Sequence, residues 1–291
     1  MNARLLFVHA LSPLHAGTGQ GVGVIDLPTA REKATGIPYL PGSSLKGVLR
    51  DACTDKEARS IVFGPDKASA HEYAGSVQIS DQRLLLLPVR SLVGTFAWVT
   101  SPHILRRFLR DAQYAGVTDV PSDVPTPTSA SCCHVADSEC LIVSDGQVIL
   151  EDLDLTSQAD ARARAWGEWI GGQVFAGEAE WQRALVGRFC IVHDDVMSFL
   201  LETATEVMAR IRLHEEAKTV EEGGLWYEEA LPAETVLAGL VVATPVKAGP
   251  EKVFATIGEL IASPLQLGGK ATVGRGLCRL RLAGGDGRAD A

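Results

Sequence analysis

An isolated acidic residue, Asp26, stands between two apolar residues, Val24 and Ile25, and a proline, Pro28, with Arg31 just beyond. A loop that faces only solvent has no need of the apolar neighbours, and a core strand does not favour the carboxylate. A carboxylate held in an ordered loop can bind a divalent cation or assist proton transfer. An Asx turn before the proline is the plainer alternative, and on these residues alone it is the better explanation.

The segment around Asp26 is a long loop, residues 11–28, which is rich in Gly and bounded by Pro. Loops of this length are usually functional or disordered, and the apolar flanks favour an ordered one. His15 lies in the same loop and can exchange a proton near neutral pH. The loop therefore holds one carboxylate and one imidazole that could belong to a single site.

Positive charge is concentrated in two short stretches, although the whole chain is acidic. The formal net charge is −9, which argues against nonspecific nucleic-acid binding, because that binding depends on neutralising phosphates. Residues 268–282 hold four basic residues and residues 41–50 hold two, and neither stretch holds an acid. Residues 194–234 hold 11 acidic against three basic residues. A site for a polyanion is therefore expected to be local and built from the two basic stretches.

Residues 42–53 predict an amphipathic helix after a Gly-Ser turn. Apolar residues at helical spacing would form its inner face: Leu45, Val48, Leu49 and Ala52. Ser43 or Ser44 is expected to cap the helix, and Lys46 and Arg50 share the opposite face. Such a helix N-terminus with two cations could seat a phosphate. Considered alone, however, this segment is better explained as an ordinary amphipathic helix with a solvated basic face.

Several familiar motifs fail on spacing. The glycines of residues 16–23 do not follow the dinucleotide pattern G-x-G-x-x-G, and residues 268–272 lack two elements of a P-loop. The four metal-ligand types at Cys132, Cys133, His134 and Cys140 lack the chelating C-x₂-C spacing, so the role of this cluster is left open. No apolar run approaches a membrane span and the N-terminus resembles a strand, so we expect a cytoplasmic protein with free thiols.

The periodicity of apolar residues predicts an α+β domain with one split sheet. The predicted elements are a strand over 4–10, two strands around Ser80 and Asp81, a helix over 100–112, a loop over 116–131, a helix over 195–209, a polar hairpin over 210–235 with its turn at 221–224, and a strand, a helix and a strand at the C-terminus. Mixed strands and helices without a linker or a repeat indicate one α+β unit.

Three parts of the chain together resemble the RAMP superfamily of CRISPR proteins. Residues 15–52 combine a glycine loop, a Pro-x-x-Arg-Glu turn and the sequence IPYLPGSSLKGVLR. Residues 63–102 and residues 223–232, GGLWYEEALP, are similar to the backbone subunit of type III-B CRISPR RNA-targeting complexes. Residues 267–280, LGGKATVGRGLCRL, are similar to the C-terminal glycine loop of the superfamily. The resemblance spans residues 5–282 and is weakest in the middle of the chain.

This resemblance implies a ferredoxin-like, RRM-related core with insertions, among them a β-hairpin thumb. The whole chain, residues 1–291, would form a single domain. Its core would occupy residues 4–112 and 186–282, with an insertion at 113–185 and the thumb hairpin at 205–235. Such subunits stack as a filament along a guide RNA, and each thumb displaces one base at regular intervals. The implied partners are guide RNA, target RNA, copies of the chain itself and the other subunits of the type III-B complex, with no membrane.

The resemblance also implies roles for particular residues. In this family the target RNA is cut beside each displaced base, and the residue that matches the catalytic Asp is Asp26. Because an aspartate is a weak base at neutral pH, we expect Asp26 to hold a divalent cation, Mg²⁺, with His15, Glu228 and Glu229 as candidate helpers. The residues expected to bind RNA are Ser43, Ser44, Lys46, Arg50, Gly268, Gly269, Lys270, Gly274, Arg275 and Gly276.

Two other functions stay open at this point. The chain could be a purely structural guide-RNA-binding subunit, as some relatives in the superfamily are. It could also be a stand-alone ribonuclease that processes guide precursors with His15 as general base, although the chain lacks the basic excess that such an enzyme would use. Loss of cleavage without Asp26 would exclude the structural subunit, whereas metal-free cleavage of a repeat hairpin would identify the processing enzyme.

Overall fold

A computed structural model describes residues 2–19, 21, 24–66, 71–214 and 219–284. Its strands are β1 (Ala3–Ala10), β2 (Tyr39–Leu40), β3 (Val77–Ile79), β4 (Gln82–Arg90), β5 (Phe96–Thr100), β6 (Cys132–Val135), β7 (Gln147–Leu150), β8 (Leu153–Ala159), β9 (Phe189–Val192), β10 (Glu206–Leu213), β11 (Val220–Ala230), β12 (Val236–Ala243), β13 (Leu265–Gln266) and β14 (Leu277–Ala283). Its helices are α1 (Gly42–Ala52), α2 (Lys56–Phe63), α3 (Pro102–Tyr114), α4 (Ala161–Val174), α5 (Ala179–Val186), α6 (Asp194–Thr203), α7 (Pro250–Leu260) and a short 3₁₀ helix (Ala271–Val273).

The strand order brings the two ends of the chain together. The large mixed sheet follows the order β13-β14-β1-β12-β4-β5-β9-β6-β8-β7, with β2 paired to β4 and β3 to β12, while β10 and β11 form a separate hairpin. β1 is antiparallel to both β12 and β14, and β12 is antiparallel to β4. The first loop, residues 11–38, therefore leaves the sheet beside the glycine loop, residues 267–276, which precedes β14.

Helices cover both faces of the sheet around β1. Phe7 packs against Phe108 of α3 with ring centroids 5.8 Å apart, whereas the Arg4 guanidinium lies 4.5 Å from the centroid of the Phe254 ring of α7. Since residues 4 and 7 point to opposite faces of a strand, α3 and α7 lie on opposite sides of the sheet. This double coverage explains the almost continuous apolar sequence of β1. None of the described helices is long and apolar enough to cross a bilayer.

The segment predicted as an insertion, residues 113–185, adds strands to the same large sheet. It supplies β6, β7, β8, α4 and α5, and β6 pairs with β9 of the core. In α4, Trp166 is fully buried and Trp169 lies 6.3 Å from Phe7 between ring centroids, so this helix contributes to the main hydrophobic core. The predicted mixed α+β class is confirmed, and the domain boundaries stay a prediction.

The N-terminus of α1 is capped differently from the prediction. Ser43 and Ser44 lie inside the helix and neither is the N-cap residue, which is Pro41. The Gly42 amide instead donates to Oδ1 of Asp81 at 2.9 Å. The expected serine cap is therefore wrong, because a carboxylate from the β3–β4 turn, adjacent only in the tertiary structure, satisfies this amide.

Two predicted helices end differently from expectation. The helix predicted over 195–209 ends at Thr203, because Glu206 begins β10 and pairs with β11. Ala52, placed on the inner face of α1 by periodicity, is the last residue of that helix and is exposed, whereas Leu45 is fully buried. Both errors lie at helix ends, where tertiary packing decides more than local periodicity.

The β10–β11 hairpin, which we call the thumb, is confirmed, but the turn predicted at residues 221–224 is wrong. Those residues lie within β11, which begins at Val220, whereas β10 ends at Leu213, and residues 215–218 lie outside the described residues. The register shifts between Ile211, opposite Leu225, and Leu213, opposite Val220, so residues 221–224 form an irregular stretch of the ladder in which Gly223 has a φ of 70°. The two glycines thus accommodate a bulge within β11 rather than the turn of the hairpin.

Candidate functional site

Asp26 lies at the thumb base, which we define as residues 206–208 and 227–230. Its exposed carboxylate accepts a hydrogen bond through Oδ2 from the Tyr227 amide at 2.8 Å. Next to it, the Leu27 amide donates to the Tyr227 carbonyl at 3.1 Å, so an isolated parallel bridge joins the first loop to β11. This bridge holds the backbone next to Asp26 while the Asp26 side chain stays accessible.

The position of Asp26 excludes the Asx turn considered above. An Asx turn requires the amide of the residue two positions on, and Pro28 has no amide hydrogen. The Asp26 side chain instead bonds a strand residue 201 positions further along the chain. A tertiary contact rather than a local turn holds this carboxylate.

Glu229 ties the first loop to the thumb base. Its Oε2 accepts hydrogen bonds from the Thr29 amide at 2.8 Å and the Thr29 hydroxyl at 2.9 Å. Its Oε1 accepts from Arg31 at 2.5 Å and from the Thr205 hydroxyl at 2.9 Å. Burial would raise the pKa of Glu229, but the Thr29 amide, Arg31 and Thr205 hold that pKa below its usual value. Both carboxylate oxygens are occupied, so Glu229 offers no free base.

Glu228 joins the thumb base to the glycine loop. Its Oε1 accepts hydrogen bonds from Lys270 Nζ at 2.7 Å and Trp226 Nε1 at 2.8 Å, and its Oε2 accepts from Arg210 Nε at 3.2 Å. Burial would raise the pKa of Glu228, but Lys270, Trp226 and Arg210 lower it to about 2. An acid this strong stays ionised and cannot donate a proton near neutral pH.

His15 is buried where the thumb base meets the glycine loop. Its Nδ1 lies 2.6 Å from the Glu229 carbonyl oxygen, and because a carbonyl can only accept, Nδ1 carries the proton. The Gly269 amide donates to the His15 carbonyl at 2.9 Å, and a Cβ at Gly17 would lie 2.5 Å from Nε2. The Glu229 carbonyl thus holds Nδ1, while Nε2 faces the space beside Gly17, where a residue with a side chain would clash.

The glycine loop brings two cations to the thumb base. Lys270 reaches Glu228, and Arg275 donates to Oε2 of Glu206 at 2.9 Å and contacts Met208 Sδ at 3.4 Å. The Arg275 side chain is only 11% exposed, so this ion pair is partly shielded from water. The first loop, the thumb base and the glycine loop therefore meet in one place, with the Asp26 carboxylate on its surface.

The cations of α1 lie elsewhere. Lys46 Nζ donates to the Val77 carbonyl at 3.0 Å, and Val77 pairs with the last residue of β12, at the end far from the thumb. β12 spans roughly 23 Å at ~3.3 Å per residue. Arg50 bonds two carbonyls and one carboxylate of residues 64–66. The two basic stretches of the sequence are separated by about a strand length, and the RNA-binding role of the α1 residues stays a prediction.

Among the predicted site residues, Asp26 alone offers an exposed carboxylate for a metal ion. One of its oxygens accepts the Tyr227 amide, and within the described residues the other accepts no hydrogen bond. A single carboxylate fits Mg²⁺, which keeps several waters and takes further ligands from substrate phosphates. In the part of the chain that the structure describes, no group of three or more His, Cys, Asp or Glu could hold an ion. That finding includes residues 132–140, whose cysteines are buried free thiols.

Several known proteins are similar to this chain in sequence and in fold. The model of the RAMP superfamily matches residues 7–279. The chain belongs to the RAMP superfamily. Within this superfamily, the Pyrococcus furiosus protein named CRISPR system Cmr endoribonuclease Cmr4 is 38% identical over 295 residues, which cover 97% of this chain and 96% of that protein. The chain is accordingly a member of the Cmr4 family, which confirms the resemblance found in the sequence.

Other RAMP-superfamily members extend the comparison. The Saccharolobus solfataricus protein named CRISPR system CMR subunit Cmr4 is 25% identical over 94% of each chain. A crystal structure of oligomeric Cmr4 from Pyrococcus furiosus has a TM-score of 0.76 at 31% identity and covers 99% of this chain and 100% of that one. A chain of a type III-B Cmr-β complex bound to cognate target RNA, only 23% identical, shares the fold with a TM-score of 0.73 over 96% of each chain.

Sequence reasoning missed most residues that hold Asp26 in place. Tyr227 contributes a backbone amide, which every residue except proline offers, so its type carries no signal. Thr29 and Thr205 act only through their contacts with Glu229. Arg31 is visible in advance, but only as part of the Pro-x-x-Arg-Glu turn typical of the RAMP superfamily.

The low pKa of Glu228 predicts a loss of stability in acid. Because its pKa falls from 4.5 to about 2 on folding, Glu228 stabilises the fold fully above pH ~4.5 and loses this contribution as pH falls toward 2. We expect Glu228→Gln to lower the free energy of unfolding at pH 7 by about 3 kcal/mol, with the difference from wild type shrinking below pH ~4.5. Urea unfolding between pH 3 and 7 measures both the difference in free energy of unfolding and its dependence on pH. Glu222→Gln, an exposed site on the same strand, is the control, and a difference independent of pH would contradict the assignment.

Proposed function

We propose that this RAMP-superfamily member is an RNA-guided endoribonuclease that binds guide RNA along a filament and cleaves paired target RNA through Asp26. The observation that carries this proposal is the hydrogen bond from the Tyr227 amide, which fixes an accessible carboxylate at the base of a projecting hairpin. A fixed position matters, because catalysis at one phosphodiester requires a defined distance and orientation. The name of the Pyrococcus furiosus relative, an endoribonuclease, supports the same activity.

The chemistry proposed at Asp26 is attack of a ribose 2′-hydroxyl on the adjacent phosphate. The O2′–P bond forms as the P–O5′ bond breaks in line, the 2′-hydroxyl proton passes to solvent and O5′ takes up a proton from solvent, leaving a cyclic phosphate and a 5′-hydroxyl. A divalent cation such as Mg²⁺ would stabilise the charge that develops at the phosphate. Asp26 would supply its protein ligand, since a carboxylate by itself is a weak base at neutral pH. The thumb would hold a nucleotide out of the stack, which frees the backbone to reach the in-line geometry.

Guide binding by the glycine loop would require an exchange of ion-pair partners. Lys270 and Arg275 are paired with Glu228 and Glu206, and phosphates would compete with these carboxylates. The exposed Gly268 would add a backbone amide donor that does not depend on base identity. Target choice would rest on pairing with the guide, because these contacts read the backbone. Ser43, Ser44, Lys46 and Arg50 would contact RNA at a second place on the same subunit.

The architecture supports a filament of such subunits. Strands β14, β1, β12 and β4 stand in the order 4-1-3-2 of a ferredoxin-like core, with α1 and α7 as its crossover helices. The related Pyrococcus furiosus Cmr4 crystal structure is described as oligomeric, which supports self-association of this chain. We propose further contacts with the other subunits of a type III-B complex, in the cytoplasm, where guide and target RNA are available.

A structural guide-binding subunit is the second candidate. The observation that favours it is that Asp26 already has a structural task, because its carboxylate accepts the Tyr227 amide. The third function, metal-free processing by His15, is disfavoured, because His15 is only 7% exposed and its Nδ1 is held by the Glu229 carbonyl. Guide-sized RNA that copurifies with the chain would support the first two functions over the third.

Removal of divalent metal should separate target binding from cleavage. With guide RNA and the other subunits assembled, we expect EDTA to stop the regularly spaced cuts, because Asp26 provides one ligand and cannot act as a strong base alone. Target affinity should change less than threefold, and added Mg²⁺ should restore the cuts. Denaturing gels and filter binding measure the two quantities. Full cleavage in EDTA would contradict the metal-assisted mechanism.

A further inference from the structure

We propose that Arg31 and Glu229 form a positioning unit that sets the place of Asp26 relative to the thumb, so that Arg31 controls the cleavage rate without touching RNA. This inference rests on the proposed function of Asp26. It assigns to Glu229 a positioning role in place of the helper role expected from the sequence. Arg31 lies in the first loop and Glu229 at the thumb base, and Arg31 also contacts Leu201 at the end of α6.

Glu229 is the centre of this unit. Its side chain is only 3% exposed, and its two oxygens accept four hydrogen bonds from Thr29, Arg31 and Thr205. A buried carboxylate with all its acceptor positions in use has one orientation, because any rotation would leave a charged oxygen without a donor. Glu229 therefore fixes the first loop to β11 at a single register.

Arg31 gives this unit its rigidity. Besides Glu229, the guanidinium donates to the Gly36 carbonyl at 3.0 Å and to the Leu201 carbonyl at 2.8 Å. One planar group thereby joins the two ends of a turn in the first loop, the last turns of α6 and the thumb base. A lysine could reach Glu229 but could not reproduce this planar set of donors.

Backbone hydrogen bonds with neighbouring residues of β11 link this unit to Asp26. The Glu229 amide donates to the Leu27 carbonyl at 3.0 Å, the Leu27 amide donates to the Tyr227 carbonyl at 3.1 Å, and the Tyr227 amide donates to Asp26. The segment between Asp26 and Arg31 is thus held at both ends by the same strand. Loosening the Arg31 end would let the carboxylate move, and displacement by about 1 Å can cost about a hundredfold in rate.

Substitution of Arg31 in the assembled complex with guide RNA tests the proposal. Arg31→Met should lower the single-turnover cleavage rate by about 10- to 100-fold, while target affinity and guide content stay within about threefold of wild type. Arg31→Lys should recover part of the rate. The matched control is Arg107→Met, because Arg107 forms two 2.6 Å hydrogen bonds with Glu32 of the same loop and does not bond Glu229.

A milder pair of variants covers the case in which Arg31→Met fails to assemble. Thr205→Val removes one of the four bonds to Glu229 and should lower the rate about two- to fivefold with unchanged affinity. Thr203→Val is its control, because the Thr203 hydroxyl bonds only the preceding helix turn, at Phe199. Thr203→Val should cleave at the wild-type rate.

Three results would overturn the proposal. The first is a wild-type rate in Arg31→Met or, where that variant does not assemble, in Thr205→Val. The second is a loss of cleavage rate and target affinity that is the same in Arg31→Met as in Arg107→Met, which would indicate general destabilisation. The third comes from Asp26→Asn: cuts that persist there would refute the proposed function itself. Loss of cuts in Asp26→Asn with normal rates in the Arg31 variants would refute this inference alone.

Discussion

Replacement of Asp26 by Asn is expected to abolish the regularly spaced cuts in target RNA while leaving the assembled complex intact. An Asn side chain keeps a carbonyl oxygen that can accept the Tyr227 amide, which lies 2.8 Å from the present carboxylate, so the first loop should stay in place. The substitution removes the negative charge that would bind a divalent cation. We expect the cleavage rate to fall about a thousandfold, within the range found for loss of a catalytic group.

Single-turnover cleavage of labelled target RNA measures this effect, and filter binding measures guide and target affinity in parallel. Asp154→Asn, an exposed carboxylate on β8, serves as the matched control and should cleave normally. Asp26→Ala removes both the charge and the acceptor for Tyr227, so it should also loosen the first loop and lower the melting temperature. Cuts that persist in Asp26→Asn would favour the structural guide-binding subunit, with cleavage performed elsewhere.

Replacement of Gly276 by Ala is expected to destabilise the glycine loop strongly. An added Cβ would lie 1.9 Å from the Leu267 carbonyl oxygen, and the residue has a φ of 75°, which residues with a side chain adopt at a cost. The opposing atom is backbone and cannot rotate away. The Gly276 amide also donates to the Pro13 carbonyl at 2.8 Å, so a shift would separate the glycine loop from the first loop. We expect the free energy of unfolding to fall by about 3 kcal/mol or more.

The nearby Gly274 offers a control that separates steric clash from backbone strain. Its φ is 80°, but an added Cβ would have no heavy atom within 4 Å. Gly274→Ala should therefore lose only about 1–2 kcal/mol, the cost of a left-handed backbone. Urea unfolding measures both variants, and guide-RNA binding should weaken more for Gly276→Ala. Equal losses would mean that the loop moves aside and that the contact with Leu267 costs little.

The regular elements of the core could be predicted because their signals are local. β1, β12, α3 and α7 each show an apolar run or a helical period within a dozen residues, and the structure places all four as expected. The errors fall where distant contacts overrule local preference. The glycines at 223–224 suggest a turn, yet they lie in an irregular stretch within β11, which pairs with β10 on both sides of them. Likewise, Asp81 rather than a serine caps α1.

The candidate site was only partly predictable for the same reason. The chemical types of Asp26, His15 and Lys270 mark them as candidates in the sequence, and the resemblance to the RAMP superfamily selects Asp26. Nothing local indicates that Glu228 and Glu229 would be saturated by hydrogen bonds from three separate segments. Those bonds change both residues from expected helpers into anchors.

By itself, the sequence determined the α+β class and the superfamily and singled out Asp26 as a candidate, because periodicity and motif spacing are properties of short segments. Only the tertiary structure decided which groups meet. It placed Tyr227 against Asp26 across 201 residues and put Lys270 on Glu228, while it left Lys46 about a strand length away. The physical reason is that hydrogen bonds and ion pairs depend on distances of a few ångströms. Such distances between remote residues are set by sheet order and register rather than by neighbours in the chain.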